Sequence, residues 1–308
     1  MVRGGFHRHR TASLPLVLLL LFAAASVRAA ASAEESRAIE AWRAARAQSL
    51  TSPTGWLSLA GLYWLQPGAN SFGSGPKSVL RLQHPSLARR AGVFTLEGST
   101  VRFDASPGRP VTLEGKRVDH QIMVPDSAGE PTVLATGTLK FFVIERAGRY
   151  GVRVRDLQSA RRTEFRGLDY FPVDDAWAVD ARFEPYEPAK VIPIMNILGM
   201  EVPMTSPGAL VFERDGREWR LDAVLEEPDA PDLFIMFADG TSGRETYGGG
   251  RFLTAPRATD GRVRLDFNRA YNPPCAFNTF ATCPLPPDEN RLTLRVTAGE
   301  MKYAGAAH

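Results

Sequence analysis

Along most of this chain apolar and polar residues alternate one by one, the pattern of strands with one buried face. Arg262-Val263-Arg264-Leu265-Asp266-Phe267-Asn268 alternates without a fault, and Arg291-Leu292-Thr293-Leu294-Arg295-Val296-Thr297 does the same. Trp177 to Phe183 follows the rule more loosely. Two hairpins are predicted: Thr138 to Glu145 with Tyr150 to Arg155 across Ala147-Gly148, and Leu210 to Glu213 with Trp219 to Val224 across Asp215-Gly216. Leu233-Phe234-Ile235-Met236-Phe237 is apolar on both faces and predicts a buried central strand. With 27 Gly and 23 Pro punctuating short strands, the predicted class is mostly β, a two-lobed antiparallel β-sandwich or barrel.

The period changes only near the N-terminus. Arg3, Arg8 and Arg10 form a basic start, Leu14 to Ala25 an apolar stretch, and Val27-Arg28-Ala29 a small-residue cleavage pattern, so a signal peptide is predicted over residues 1–29. An apolar stretch of about a dozen residues is too short to span a bilayer. No Cys follows it to take a lipid anchor. The expected location is periplasmic or secreted, with no membrane span after cleavage. Residues 30–52 then read as a short helix: Glu34, Glu35 and Glu40 come early and Arg43 and Arg46 late, which suits the helix dipole. Ile39, Trp42 and Arg46 share one face, and Ser52-Pro53-Thr54-Gly55 ends the helix. The polar stretch Asp156 to Gly167 divides the remainder into an N-terminal β domain over 53–157 and a C-terminal β domain over 158–308.

Charge changes the picture once the leader is set aside. Of 37 Lys and Arg, four lie in the leader, leaving 33 against 34 Asp and Glu. A nucleic-acid partner is not expected, because the basic footprint it needs is missing. Hydrophobic residues at 44% suffice for a proper core. Of five His, only His84 and His120 fall inside the expected fold. A His-rich metal site is therefore not expected, and any histidine base must be one of those two. There is no Gly-x-Ser-x-Gly elbow, no Gly-rich phosphate loop opening a helix and no His-Glu-x-x-His. No cofactor is implied. Ser74-Gly75-Pro76-Lys77 matches Ser-x-x-Lys by letter, but Pro76 denies it the helix that spacing requires, so it reads as a turn.

The candidate chemistry gathers late in the chain. Cys275 and Cys283 lie in a proline-rich loop; in an oxidising compartment a close, even pair is most simply a disulfide, with two structural thiols or a redox or metal role as alternatives. Asp239, Tyr247, Asp266 and Glu300 are the candidates for acid–base work. Arg251, beside Gly248-Gly249-Gly250, together with Asn268, Arg269, Tyr271 and Asn272, is the candidate ligand-binding group, since glycines permit close approach to an anion. The competing reading makes Arg251 a structural partner of Asp266 and the rest the support of the proline loop. Arg153, Arg155, Asp156, Ser159, Arg161 and Arg162 form a second polar group, either an Arg–Asp lattice at the domain junction or a basic patch facing a ligand. The expected function is a non-catalytic binding or scaffold module with a cleft on the C-terminal lobe for a small anionic or polymeric envelope ligand. The alternatives are an envelope hydrolase using Asp266, Asp239 or Glu300 with Tyr and Arg, or a thiol redox or metal role through Cys275 and Cys283.

Several stretches resemble one family. Gly55-Trp56-Leu57, Gly61-Leu62-Tyr63-Trp64-Leu65, Asn70-Ser71-Phe72-Gly73-Ser74 and Arg153-Val154-Arg155-Asp156 are similar to domain-of-unknown-function family 1684. So are Tyr247-Gly248-Gly249-Gly250-Arg251-Phe252-Leu253, Leu265 to Cys275, Phe280 to Pro287, Asn290-Arg291-Leu292 and Ala298-Gly299-Glu300. The resemblance implies no reaction. Residues 70–157 also resemble a degenerate forkhead-associated β-sandwich, with Ser74 after Gly73 and Arg89 where such domains carry their motif histidine. That departure removes the expectation of phosphopeptide binding and leaves a hint about fold.

Overall fold

The computed structural model describes Met1, residues 15–108 and residues 110–305. Residues 2–14 of the expected leader lie outside the described residues, and of residues 15–32 only the helical backbone is described. Helix α1 covers Pro15–Thr51, so the predicted helix is the C-terminal part of a longer one. Its apolar face docks as its spacing implies. Ile39 and Leu50 are buried, Leu50 against Leu57, Ala276 and Phe277, and the Trp42 ring lies 6.5 Å from that of Tyr271.

The strands that follow are β1 (Leu59–Trp64), β2 (Gly68–Gly73), β3 (Leu80–Arg81), β4 (Gly92–Glu97), β5 (Thr100–Ala105) and β6 (Thr112–Leu113). After them come β7 (Lys116–Arg117), β8 (His120–Met123), β9 (Leu134–Thr136), β10 (Leu139–Arg146) and β11 (Arg149–Asp156). They form two sheets, ordered β1-β11-β10-β9-β6-β7 and β3-β2-β4-β5-β8. Phe72, Phe94 and Phe103 of one sheet meet Phe141, Val143, Val152 and Val154 of the other in one core. The Phe141 ring lies 5.2, 6.0 and 5.6 Å from those of Phe72, Phe94 and Phe103. This is a sandwich, sealed by aromatic pairs that are edge-on or tilted.

The short α2 (Ala160–Thr163) leads to β12 (Ala178–Met195), β13 (Glu201–Arg214), β14 (Arg217–Ala223), β15 (Asp232–Phe237), β16 (Arg251–Pro256) and β17 (Arg262–Asp266). Their ladders run β14-β13-β12-β17 and β15-β16. Leu210, Leu221, Ile235, Phe237, Leu253, Leu265 and Phe267 belong to a second core, whose members are separate from those of the first.

Both predicted hairpins are present. Ala147 and Gly148 have φ of 50° and 72°, Asp215 and Gly216 of 55° and 69°, the left-handed pair that a two-residue turn between twisted strands requires. The strand predicted around Leu233 is buried along its length, but its ladder is only β15-β16; a bridge from Val224 to Phe234 covers the other edge. The stretch Arg291 to Thr297 is not a ladder strand, although Leu294 and Val296 are buried as its alternation predicts. Its backbone is held differently: Val296 N–H donates to Asp239 at 2.7 Å, Val296 O accepts from Arg251 at 2.9 Å, and Leu294 O accepts from Gly240 N–H at 2.7 Å. Alternation reports burial, and side chains or isolated loop amides can satisfy the backbone where no neighbouring strand does.

Candidate functional site

Strand β11 lies between β1 and β10, with Arg153 opposite Leu62 on one side and Phe142 on the other. Because successive side chains point to opposite faces, Val152 and Val154 enter the sandwich core and Arg153 projects from the other face. There it lines a cavity of about 360 Å³ that no single lobe encloses. Trp56, Arg146 and Arg153 come from the N-terminal side; Met204, Phe234, Phe252, Tyr271, Pro274 and residues 281–284 come from the C-terminal side; Arg46 of α1 and Glu226 complete it. Phe234 and Phe252 pack edge to face at 4.9 Å, as do Phe252 and Tyr271 at 5.8 Å, so the C-terminal wall is aromatic.

The three arginines of this cavity differ in one respect. Arg46 pairs with Glu300 at 3.0 Å, and Arg146 grips Asp126 through two contacts of 2.9 and 2.8 Å. Arg153 is only 3% exposed, and among the described residues no carboxylate pairs with it. Its Nε and Nη2 are buried without a hydrogen-bond partner. Its guanidinium carbon lies 5.8 Å from the Trp56 ring. Burial, followed by repulsion from Arg146, draws the Arg153 pKa down from 12.5 to about 10, which leaves it charged at neutral pH.

The candidate residues of the C-terminal motifs do not gather around this cavity, apart from Tyr271 and Cys283. Arg251, expected to face an anion, is fully buried. It donates to the carbonyls of Ala298 and Val296 and to Asp239 at 3.4 Å, leaving only Nε without a partner. Its structural partner is Asp239 rather than Asp266. Asp239 in turn accepts from the Thr241 hydroxyl at 2.9 Å and from Val296 N–H at 2.7 Å. Asp266 caps a 3-10 turn by accepting from Asn268 N–H at 3.1 Å, and pairs with Arg269 at 3.2 Å. Asn268 clasps Asp174 through both its backbone N–H and C=O at 3.0 Å. Glu300 is fully buried and accepts from Arg46 at 3.0 Å and from Asn272 N–H at 2.7 Å, while the Asn272 amide donates to Met301 O at 2.8 Å. These groups brace loops. The physical reason is that a proline-rich coil supplies few N–H donors and must be held by side chains.

Tyr271 lines the cavity beneath Arg46, whose guanidinium is 4.8 Å from its ring; burial pushes its phenol up to about 12. Tyr247 donates to Cys275 O at 3.4 Å, and burial raises its pKa as well. Cys275 and Cys283 are free, buried thiols, with Cys275 N–H donating to Cys283 Sγ at 3.0 Å. The expected bridge is not formed in the structure, though the two residues are in contact. Burial pushes the Cys283 thiol up, and its hydrogen bond to Cys275 draws the latter down.

The second polar group is not an Arg–Asp lattice. Arg155 donates to Gly55 O and the Ser58 hydroxyl, Arg161 to Leu59 O, and Arg162 to Thr51 O and Leu157 O. Asp156 accepts from Gln158 N–H at 3.0 Å and contacts His84 Nε2 at 3.3 Å. Arg153 alone of this group lines the cavity. The sequence carries a signal for it, an arginine flanked by two valines in mid-strand. Trp56, Arg46, Arg146 and Glu226 carry no such signal, because their proximity depends on how distant segments pack.

Fold and cavity together define a two-lobed, mostly β protein with a basic, aromatic-walled cavity between two cores. Residues 163–301 match the family model described as Protein of unknown function (DUF1684), and through this segment the chain belongs to that family. The motifs quoted above for residues 55–74 and 153–156 fall outside the matched segment. The solution NMR structure of an uncharacterised protein from Haloarcula marismortui is 33% identical. That match covers 47% of this chain and 82% of the other, with a TM-score of 0.40. No curated protein matches the chain.

Proposed function

We propose that this protein is an exported, non-catalytic binding module that takes a small organic anion into the cavity between Arg153 and the aromatic wall. One observation carries the binding half: Arg153, a charged residue that is 3% exposed and has no acceptor for Nε and Nη2, lines a cavity. Leaving such donors unmatched in a buried place is costly, and an anionic ligand supplies the missing acceptors. The cavity volume of about 360 Å³ is in the range that small-molecule sites occupy. The hydrolase alternative gains no support, since Asp239, Asp266 and Glu300 are each engaged in bracing contacts.

The test is a thermal-shift series with small organic acids and their neutral amides. At a concentration about 100 times Kd, a ligand stabilises by about 2.7 kcal/mol, which raises Tm by roughly 5 °C or more in a chain of this size. Arg153→Met is expected to abolish the response to acids. If no acid raises the wild-type Tm, or if the variant responds equally, the reading is wrong.

Export rests on the leader motif and has its own check. The mature chain recovered from a bacterial envelope is expected to begin at Ala30 and, in that oxidising compartment, to be lighter by the two thiol hydrogens lost when Cys275 and Cys283 close. A soluble cytoplasmic chain retaining residues 1–29 would count against it.

A further inference from the structure

The two orphaned atoms of Arg153 are not an arbitrary pair. Nε–H and the Nη2 hydrogen beside it lie along one edge of the planar guanidinium, parallel and spaced to meet both oxygens of a single carboxylate. Charge accounting narrows the ligand further. Arg46 and Arg146 already have Glu300 and Asp126, so the cavity offers one uncompensated positive charge, on Arg153. Glu226, exposed and without an ion-pair partner among the described residues, adds a negative charge at the cavity's edge. A second negative charge on the ligand would therefore meet repulsion rather than a counter-ion. Phe234, Phe252 and Tyr271 line the same cavity as Arg153, and their edge-to-face rings offer apolar surface that suits a planar body.

From this geometry we infer that the cavity is selective for an aromatic monocarboxylate, gripped side-on by Nε and Nη2 of Arg153 with its ring against Phe234, Phe252 and Tyr271. The inference rests on the binding reading above and names its ligand class. Nε and Nη2 have no accessible surface in this structure, so the side-on grip requires the guanidinium to turn its free edge toward the cavity when the ligand enters. Trp56, beside that guanidinium, registers the movement.

The experiment is isothermal titration of the full chain with three probes of similar size, phenylacetate, phenylacetamide and phenyl phosphate, with indole fluorescence recorded in parallel. Phenylacetate is expected to bind at least about tenfold more tightly than the neutral amide, which cannot accept a charge-assisted pair, and than the dianionic phosphate. Arg153→Lys keeps the charge but loses the fork, and is expected to weaken phenylacetate by about tenfold or more. Glu226→Gln is expected to narrow the gap between phosphate and carboxylate. Phenyl phosphate binding as tightly as phenylacetate overturns the monocarboxylate assignment and leaves anion binding standing. Equal affinity of wild type and Arg153→Lys overturns the side-on grip. Acid and amide binding alike, or neither binding while other organic acids do, overturns the ligand class; no response to any organic acid overturns the binding reading itself. Should a variant fail to fold, the wild-type series still decides the ligand class.

Discussion

Asp239→Ala is expected to lower the stability of the C-terminal part by about 3–5 kcal/mol, the cost of stranding a buried charge. The residue it abandons, Arg251, has no exposure and, among the described residues, only Asp239 as an ion-pair partner, and burial already pulls its pKa down. The loss goes beyond the pair. Asp239 also accepts from Val296 N–H and from the Thr241 hydroxyl, so the segment 291–297, which joins no ladder, loses one of its tethers. Natural domains are stable by about 5–15 kcal/mol in total, so much of the margin goes. Urea unfolding followed by circular dichroism measures the effect as a fall in midpoint. A double variant, Asp239→Leu with Arg251→Met, is expected to regain part of the loss, because a well-packed apolar pair carries no desolvation penalty. A single variant as stable as the wild type would mean that Arg251 is satisfied without Asp239.

Arg46→Met is expected to cost about 3 kcal/mol at pH 8 and progressively less as pH falls toward about 5. Glu300 is fully buried, and its carboxyl pKa is raised above 4.5 by that burial, with Arg46 the chief force opposing the rise. A carboxyl whose folded pKa is raised holds its proton more tightly when folded. Its contribution to stability is fully present below the unfolded value and is lost as pH climbs through the folded one. Removing Arg46 lifts the folded value further, so the penalty at pH 8 grows, while at low pH Glu300 is neutral and the partner is not missed. The variant also loses the bond from Arg46 to Asn272 O and the packing over Tyr271, which pH does not alter. Glu300→Gln in the same chain is expected to remove the pH-dependent part. If the loss proves the same at both pH values, Glu300 is not the buried acid that Arg46 compensates.

Much of the architecture was legible. Asp215-Gly216 and Ala147-Gly148, each set between two runs of strand-forming residues, placed both hairpins, and both pairs adopt the left-handed φ that a two-residue turn requires. The alternation at 262–266 fixed which side of β17 faces the core, and Ile39, Trp42 and Arg46 marked the face by which α1 docks. The stretch 291–297 has equally good alternation and forms no ladder, because its backbone is held by Asp239, Arg251 and the Gly240 amide.

The candidate site was less legible for a related reason. Polar residues crowded near Gly248-Gly249-Gly250 resemble a ligand cradle in the sequence, yet Gly250 has φ of 87° and its missing Cβ would lie 2.6 Å from Phe237 O, so that glycine serves close backbone packing. Arg251 and Asp266 pair with charged groups inside the fold, whereas Arg153 has no carboxylate partner among the described residues and leaves Nε and Nη2 unmatched. Sequence by itself determined the strands, the turns, the docking face of the helix and a candidate leader, because those follow from which residues can be buried and which φ each tolerates. Only tertiary structure decided which charged groups compensate one another, since pairing joins residues as distant as Arg46 and Glu300, and the arginine left over defines the cavity.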